Sequence, residues 1–354
     1  MPATVLTADQ VRDNLLRDIK NLQPEADVGE DSDYFVRASS VGSAVEGLYQ
    51  HQLWITKQIF PDTADLEYLI LHARLRGIDR KPAVSASGTI LLAGQAGESV
   101  PSGLVAKYKD GTSYVTTSGG DFDVNGQLTV DARAEVAGVG GNRDAGDTLT
   151  LTIPPIGVNA TVSVVKMLGG TDIESPESLL ARLLQRMRRA PAGGNKYDYW
   201  QWAMEVPGVT AAYVYPLRRG LGTVDVVIAS NGGMPSDETI RAAQAHIDDQ
   251  RPVTAKNSLV IGPSIRTYDV VAEVALDGIS MDTATSLVTS ALAAYDAIIS
   301  PGDRVIKSRI EAVISDVSGI SDRNVIEPAA NIVPDVDASR VEWFRLGSVQ
   351  LRSM

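Results

Sequence analysis

The chain has 354 residues, more than one ordinary domain holds, so roughly two to four folding units are expected. Its 32 Lys and Arg against 44 Asp and Glu leave a formal charge of -12, which argues against general binding to DNA, RNA or anionic membrane, since all three favour basic faces. It contains no cysteine, so disulfides, thiolate metal sites and cysteine nucleophiles are excluded.

The opening Met1-Pro2-Ala3-Thr4-Val5-Leu6 lacks a basic segment followed by an apolar stretch, so no signal peptide is expected. No run of about eighteen apolar residues is present, which excludes an ordinary membrane helix. Helical periodicity then begins. Thr7 and Gln10 form a capping box, and Val11, Leu15, Ile19 and Leu22 share one face. Pro24 and the acidic residues 25–33 break the pattern. A second helix is predicted from Val41, Val45, Leu48, Ile55 and Ile59, with Trp54 beside the stripe. After Pro61 and Asp62 a third carries Leu66, Leu69, Ile70 and Ala73 up to Gly77. Such an arm packs either on its own body or on another chain.

From Pro82 to Met167 short alternating runs replace the helices: residues 88–92, 104–108, 113–116, 148–152 and 161–165. Asp110-Gly111 and Asn125-Gly126 supply the positive φ that tight hairpins need. A small all-β unit, sandwich or barrel, is expected.

Helices return at Ser175-Pro176, with Leu179, Leu183 and Met187 in line and Arg182, Arg186, Arg188 and Arg189 on other faces. A helix with Tyr199, Trp202, Ala203 and Val206 ends at Pro207-Gly208. Strands 210–215 and 223–229 flank the Arg218-Arg219-Gly220 hairpin, a helix from Ser236 ends at Pro252, and a strand covers 257–261. The last hundred residues repeat the layout: a strand at 269–276, a long helix from Asp282, and a helix with a Ser308/Glu311 capping box and Gly319 at its C′ position. A further strand covers 322–327. The fold class is therefore α+β multidomain: a helical arm and bundle region (1–81), a small all-β domain (82–167), and two consecutive small α+β domains (168–264 and 265–354, the second with a C-terminal tail).

Motifs that could carry chemistry fail on their context. His51, His72 and His246 sit on separate helices without metal-ligand spacing. Asp121-Phe-Asp123-Val-Asn125-Gly126 begins like a calcium loop, but its twelfth position is Ala132 where a bidentate Glu is needed. Gly138-Val-Gly140-Gly141-Asn142 lacks the strand before and the helix after that a phosphate loop requires. No carboxylate pair sits in a recognisable frame. The expectation is a chain without catalytic residues, cofactor or metal. The arginine set 182–189 reads as a solvated face or as a contact to an acidic partner.

Four stretches carry a family resemblance. They are Asp62-Thr-Ala-Asp65 followed by Leu69, Ala73, Gly77-Ile78, Arg80 and Pro82-Ala83; Gly97 with Val100-Pro-Ser-Gly103, Asp110-Gly111 and Tyr114; Ala137-Gly-Val-Gly-Gly-Asn142 followed by Gly146; and Gly169-Gly170-Thr-Asp172 with Glu174, Glu177, Arg182, Gly194, Tyr199, Trp202-Ala203 and Pro207-Gly208-Val209. In this order they resemble the baseplate J-like family of contractile-tail phages, in particular its Mu-like branch, from about residue 40 to 270. The first forty residues and the tail after Pro334 match nothing in that pattern.

The resemblance implies a structural baseplate wedge subunit, located in the virion tail and assembled in the host cytoplasm. Its implied role is to join the central hub and sheath start to the periphery, and to rearrange on contraction and genome ejection. The implied partners are a second copy of itself and a smaller wedge protein in a heterotrimeric bundle, neighbouring wedges, and hub and sheath-initiator proteins, with no direct nucleic acid and no membrane insertion. The family brings no catalytic residues. Candidate interface positions are Val11, Leu15, Ile19, Val45, Leu48, Trp54, Ile55, Arg182, Arg186 and Arg189. Two alternatives stay open: a host-recognition or glycan-binding tail protein, which would need exposed aromatics among Tyr108, Tyr114 and Phe122, and the same subunit in a phage-derived contractile injection system.

Overall fold

A computed structural model describes residues 5–354; Met1–Thr4, part of the stretch read as lacking a leader, lie outside the described residues. Contacts divide the chain into two units, one of residues up to Arg80 together with Ser175–Leu184, the other of Lys81–Glu174 with Gln185–Met354.

The first unit is helical. Helix α1 (Ala8–Leu22) opens on the expected capping box, Thr7 Oγ1 accepting from Gln10 N and Gln10 Oε1 from Thr7 N. Helix α2 (Asp33–Ile59) starts earlier than its apolar stripe suggests. Ser32 accepts from Phe35 N at 3.1 Å, so the end of the acidic stretch caps a helix instead of interrupting one. The two helices meet closely at Gly42, where an added Cβ would lie 2.5 Å from Ala8 O. Helix α3 (Leu66–Arg74) is tied to the end of α2 through Asp65, which accepts from Trp54 Nε1 at 2.8 Å and Gln58 Nε2 at 3.2 Å. Leu69 and Ala73 of α3 and Ile78 form a small core with Leu179 and Leu183 of helix α4 (Pro176–Arg188). Residues 175–184 thus complete the helical unit from beyond the β domain.

The second unit begins with a closed barrel. Its strands are β1 (Ser87–Ala93), β3 (Val105–Lys107), β4 (Ser113–Thr116), β6 (Gln127–Ala134), β7 (Thr148–Leu151) and β8 (Thr161–Leu168), in the order β1-β6-β4-β3-β7-β8 and all antiparallel. A short pair, β2 (Ser99–Val100) with β5 (Gly120–Asp121), sits beside it. Inward alternation places Ile90, Leu92, Val130, Leu149, Val162 and Val164 in one core. Gly88 lets β1 and β8 approach, since a Cβ there would stand 1.9 Å from Lys166 O. Strand β6 was absent from the expected set: its inward Val130, Ala132 and Ala134 alternate with Asp131 and Arg133, and two of the three are small.

Helix α5 (Lys196–Glu205), β9 (Ala211–Pro216), β10 (Thr223–Ala229), α6 (Asp237–Gln250) and β11 (Asn257–Ile261) form the first α+β layer, with sheet order β11-β10-β9. β9 and β10 are antiparallel, and α6 provides the crossover that makes β10 and β11 parallel. Strand β12 (Ser264–Leu276), helices α7 (Met281–Ala297) and α8 (Lys307–Ser315), β13 (Ile320–Glu327) and β14 (Glu342–Ser353) form the second, in sheet order β13-β12-β14. The tail that matched no pattern is β14. It runs parallel to β12 and buries Trp343 and Phe344 against Val288, Leu292 and Ile310.

Two helix-end expectations are corrected. Helix α8 begins two residues earlier than a Ser308 cap allows, after Ile306, with no side-chain cap. Asn331 Oδ1 instead accepts from Lys307 N at 2.9 Å, so a distant side chain replaces the local box. The helix ends at a C-cap on Asp316. Gly319, at φ +90°, therefore lies beyond the C′ position and serves to admit Ile279, whose side chain stands 2.6 Å from where a Cβ would be.

Candidate functional site

The arm exposes a long apolar stripe. Within the 27-residue helix α2, the buried residues are Ala38, Gly42 and Gln58. Val41, Leu48, Ile55 and Ile59 are exposed, Val45 is half-buried, and with Gln52 they recur at alternating steps of four and three. That is the spacing of a two-sided coiled-coil seam, in which a polar residue among apolar ones fixes register. Of the other sequence candidates, Val11 is buried, and Leu15 and Ile19 are half-buried on α1. Trp54 is held by its bond to Asp65, stacks on His51 at 5.5 Å, and meets Tyr68 edge-on at 5.4 Å.

The arginine candidates separate. Arg182 is only 6% exposed and donates to Asp79 O at 3.2 Å, its helix face packed inward beside Leu179 and Leu183. Arg186 is half-buried and Arg189 exposed, the latter lying 3.3 Å over the Tyr197 ring. The structure places Val11 to Ile55 and Arg182 in the first unit and Arg186 and Arg189 in the second.

The motifs that failed on sequence have structural roles. Asp123 accepts from Asn125 N and Gln127 N, both at 2.8 Å, and these backbone bonds hold its carboxyl below the usual range. Gly138 (φ +139°) opens a 3-10 turn at Val139–Gly141; Val139 N donates to Asp172, and the Asn142 amide bonds Gly170 through both its ends. His72 pairs with Gln58 O at 2.8 Å and His246 with Glu205 at 2.9 Å. Among the described residues no group of three or more His, Asp or Glu is placed to hold a metal ion.

Two arginine clamps were not foreseen. Arg143 closes one end of the barrel, 4.1 Å above Tyr108 and bonded to Asp110 at 2.6 Å. Beneath it Tyr114 donates to Gly141 O, and burial pushes its hydroxyl up to about 12. In the first α+β layer Asp225 is wholly buried and accepts from Arg218 Nε at 2.7 Å and Arg219 Nε at 2.8 Å. Arg218 also donates to the carbonyls of Asp337 and Arg340. The Arg-Arg-Gly turn was legible; its reach to a loop 119 residues away left no local signal.

A barrel, two small α+β layers and a helix with an exposed apolar seam make up a modular chain. Three family models match it: the baseplate J-like protein barrel domain over residues 89–170, the central domain over 191–260, and the C-terminal domain over 268–352. The chain is 33% identical over 299 residues to the Mu-like prophage FluMu protein gp47 of Haemophilus influenzae, covering 81% of this chain and 83% of that protein. It is 31% identical over 317 residues to the baseplate protein gp47 of Escherichia phage Mu, covering 84% and 87%. Similarity to the phage-like element PBSX protein XkdT of Bacillus subtilis, at 25%, extends over 95% of both chains. The chain belongs to the baseplate J-like protein family.

Proposed function

We propose that this chain is a structural subunit of a phage tail baseplate, acting as a wedge component whose α2 seam enters a helical bundle with a second copy and a smaller tail protein. One observation carries the reading. In a family that includes a baseplate protein of phage Mu, the longest helix leaves Val41, Leu48, Ile55 and Ile59 exposed among the described residues. A seam of this length and spacing is stabilised when stripes of other helices cover it.

The two α+β layers would move together during any rearrangement. Ala229 of the first lies in the core of the second, Tyr213 packs 6.2 Å from Trp343, and Tyr215 donates to Pro301 O. The glycan-binding alternative lacks its platform among the described barrel residues: Tyr114 and Phe122 are buried, and Tyr108 lies beneath Arg143.

Co-expression with a small tail protein from the same genome tests the wedge reading. A complex holding two copies of this chain and one of the smaller protein is expected, and Leu48→Asp with Ile55→Asp should abolish it. A chain that stays monomeric beside its neighbours' products, under every order of mixing, would sink the proposal.

A further inference from the structure

The chain enters the barrel at Ser87 and leaves at Leu168, and these two residues pair in the β1–β8 ladder. Both connections are therefore at one end. The far end is built from residues 94–104, 117–126 and 152–160, and it has no covalent tie to anything else. Its three segments are locked to one another: Gly94 N donates to Gly126 O, Gln95 N to Gly157 O, and Gly97 N to Phe122 O.

On this fixed frame stand apolar side chains in water: Val124 is 93% exposed, Ile153 81% and Ile156 100%. Pro154 and Pro155 stiffen the segment between the two isoleucines. Single exposed apolar residues are ordinary, but three on one rigid end, ringed by polar groups, mark a contact surface. The same segments hold three acids, Glu98, Asp121 and Asp123, and no Lys or Arg, for a local charge of -3. None of the three makes an ion pair among the described residues.

An acidic, apolar tip needs a basic, apolar counterpart. This chain, at -12 overall, offers one. Residues 185–196 contain Arg186, Arg188, Arg189 and Lys196 and no acid, a local charge of +4. This knuckle is also pre-shaped: buried Asp198 accepts from the backbone N–H groups of Ala192, Gly194 and Asn195, and Tyr197 is covered by Arg189 and Lys196. Met187 and Pro191 are exposed between the charges.

We propose that the far end of the barrel of one copy docks on the residue 185–196 knuckle of a second copy. Ile153 and Ile156 cover Met187 and Pro191, while Glu98 and Asp121 face Arg186, Arg188 and Arg189. The contact is head-to-tail, since each copy presents a different surface to each neighbour, so it propagates until a ring closes. It does not involve the α2 seam.

The absence of native cysteine allows a direct test on the full chain. Ile156→Cys and Met187→Cys are made in separate copies, mixed, and oxidised; the control replaces Met187→Cys with Val253→Cys, a more exposed site that random collision would favour. The 156–187 cross-link is expected in at least about tenfold excess over 156–253, falling as salt rises from 0.1 to 1 M, where the Debye length shrinks from about 10 to about 3 Å. Arg188→Glu with Arg189→Glu in the knuckle copy should remove that excess, and Glu98→Lys with Asp121→Lys in the tip copy should restore it. Leu48→Asp with Ile55→Asp in both copies should leave it unchanged, which separates this contact from the arm bundle. Equal yields for 156–187 and 156–253, or a yield indifferent to charge reversal, would overturn the proposal.

Discussion

Along β6 alternate side chains from Val130 to Ala134 turn into the barrel, and along the much longer α2 only Ala38, Gly42 and Gln58 are buried. Both segments read as amphipathic. The difference is what faces them: the barrel closes on itself and supplies both sides of its core, whereas α2 meets α1 over its first half, from Tyr34 to Glu46, and α3 only at its end. An amphipathic pattern therefore specifies that a face will be covered, and the closure of the surrounding elements decides whether the chain covers it by itself.

Substitutions in the body and the arm should diverge accordingly. The largest effect is expected at Asp225. Replacement by Ala leaves Arg218 and Arg219 without their carboxylate at a wholly buried site, and urea unfolding should show a loss of about 4 kcal/mol. Leu149→Ala opens a cavity in the closed barrel core and should cost about 3 kcal/mol by the same measurement. Gly88→Ala forces β1 from the Lys166 carbonyl, for about 2 kcal/mol.

In the arm the same chemistry should be almost silent: Leu48→Asp changes the unfolding free energy of the chain alone by no more than about 0.5 kcal/mol, while pull-down of the small partner is lost. A large unfolding effect at Leu48 would erase the contrast between the two regions. The smallest effect concerns the loop that Arg218 holds. Hydrogen bonds from the Ser339 side chain and backbone and from Arg340 N lower the Asp337 carboxyl from 3.8 to about 2. Because the folded value lies below the unfolded one, the stabilisation is complete above pH 3.8 and is lost as pH falls through about 2. The amide shifts of Ser339 and Arg340 should follow this titration, and Asp337→Asn should flatten it.

How much of this was legible depends on where each residue's partner lies. Strands 223–229 and 257–261 are bounded by turn residues and rich in Val and Ile, and they fall where their local pattern puts them. Strand β14 was missed because Gly347 interrupts its alternation and its partner, β12, precedes it by 78 residues, as Ser264 opposite Glu342. The bare seam of α2 was visible as a stripe, since heptad spacing is local. The sidedness of α4 was not: Leu179 and Arg182 both turn inward, a choice made by α3 and Asp79, not by anything within the helix. The barrel tip escaped notice because three segments far apart in sequence must meet before Val124, Ile153 and Ile156 form one surface.

The segments that lead into and out of the barrel are themselves joined. Val84 bridges Thr171, and Lys81 N donates to Glu174 at 3.0 Å. Topologically the barrel is a cassette, since residues 175–184 resume the helical core that Ile78 leaves off. On the ribosome that core must wait for the whole cassette to emerge before Leu179 and Leu183 can seat. In exchange, a barrel cut at this neck can carry different loops at its far end, provided Lys166 still meets Asp237 and Gly169 still meets Ser236 of the first α+β layer. Such a joint lets one end of a tail protein diversify while the rest of the subunit stays fixed.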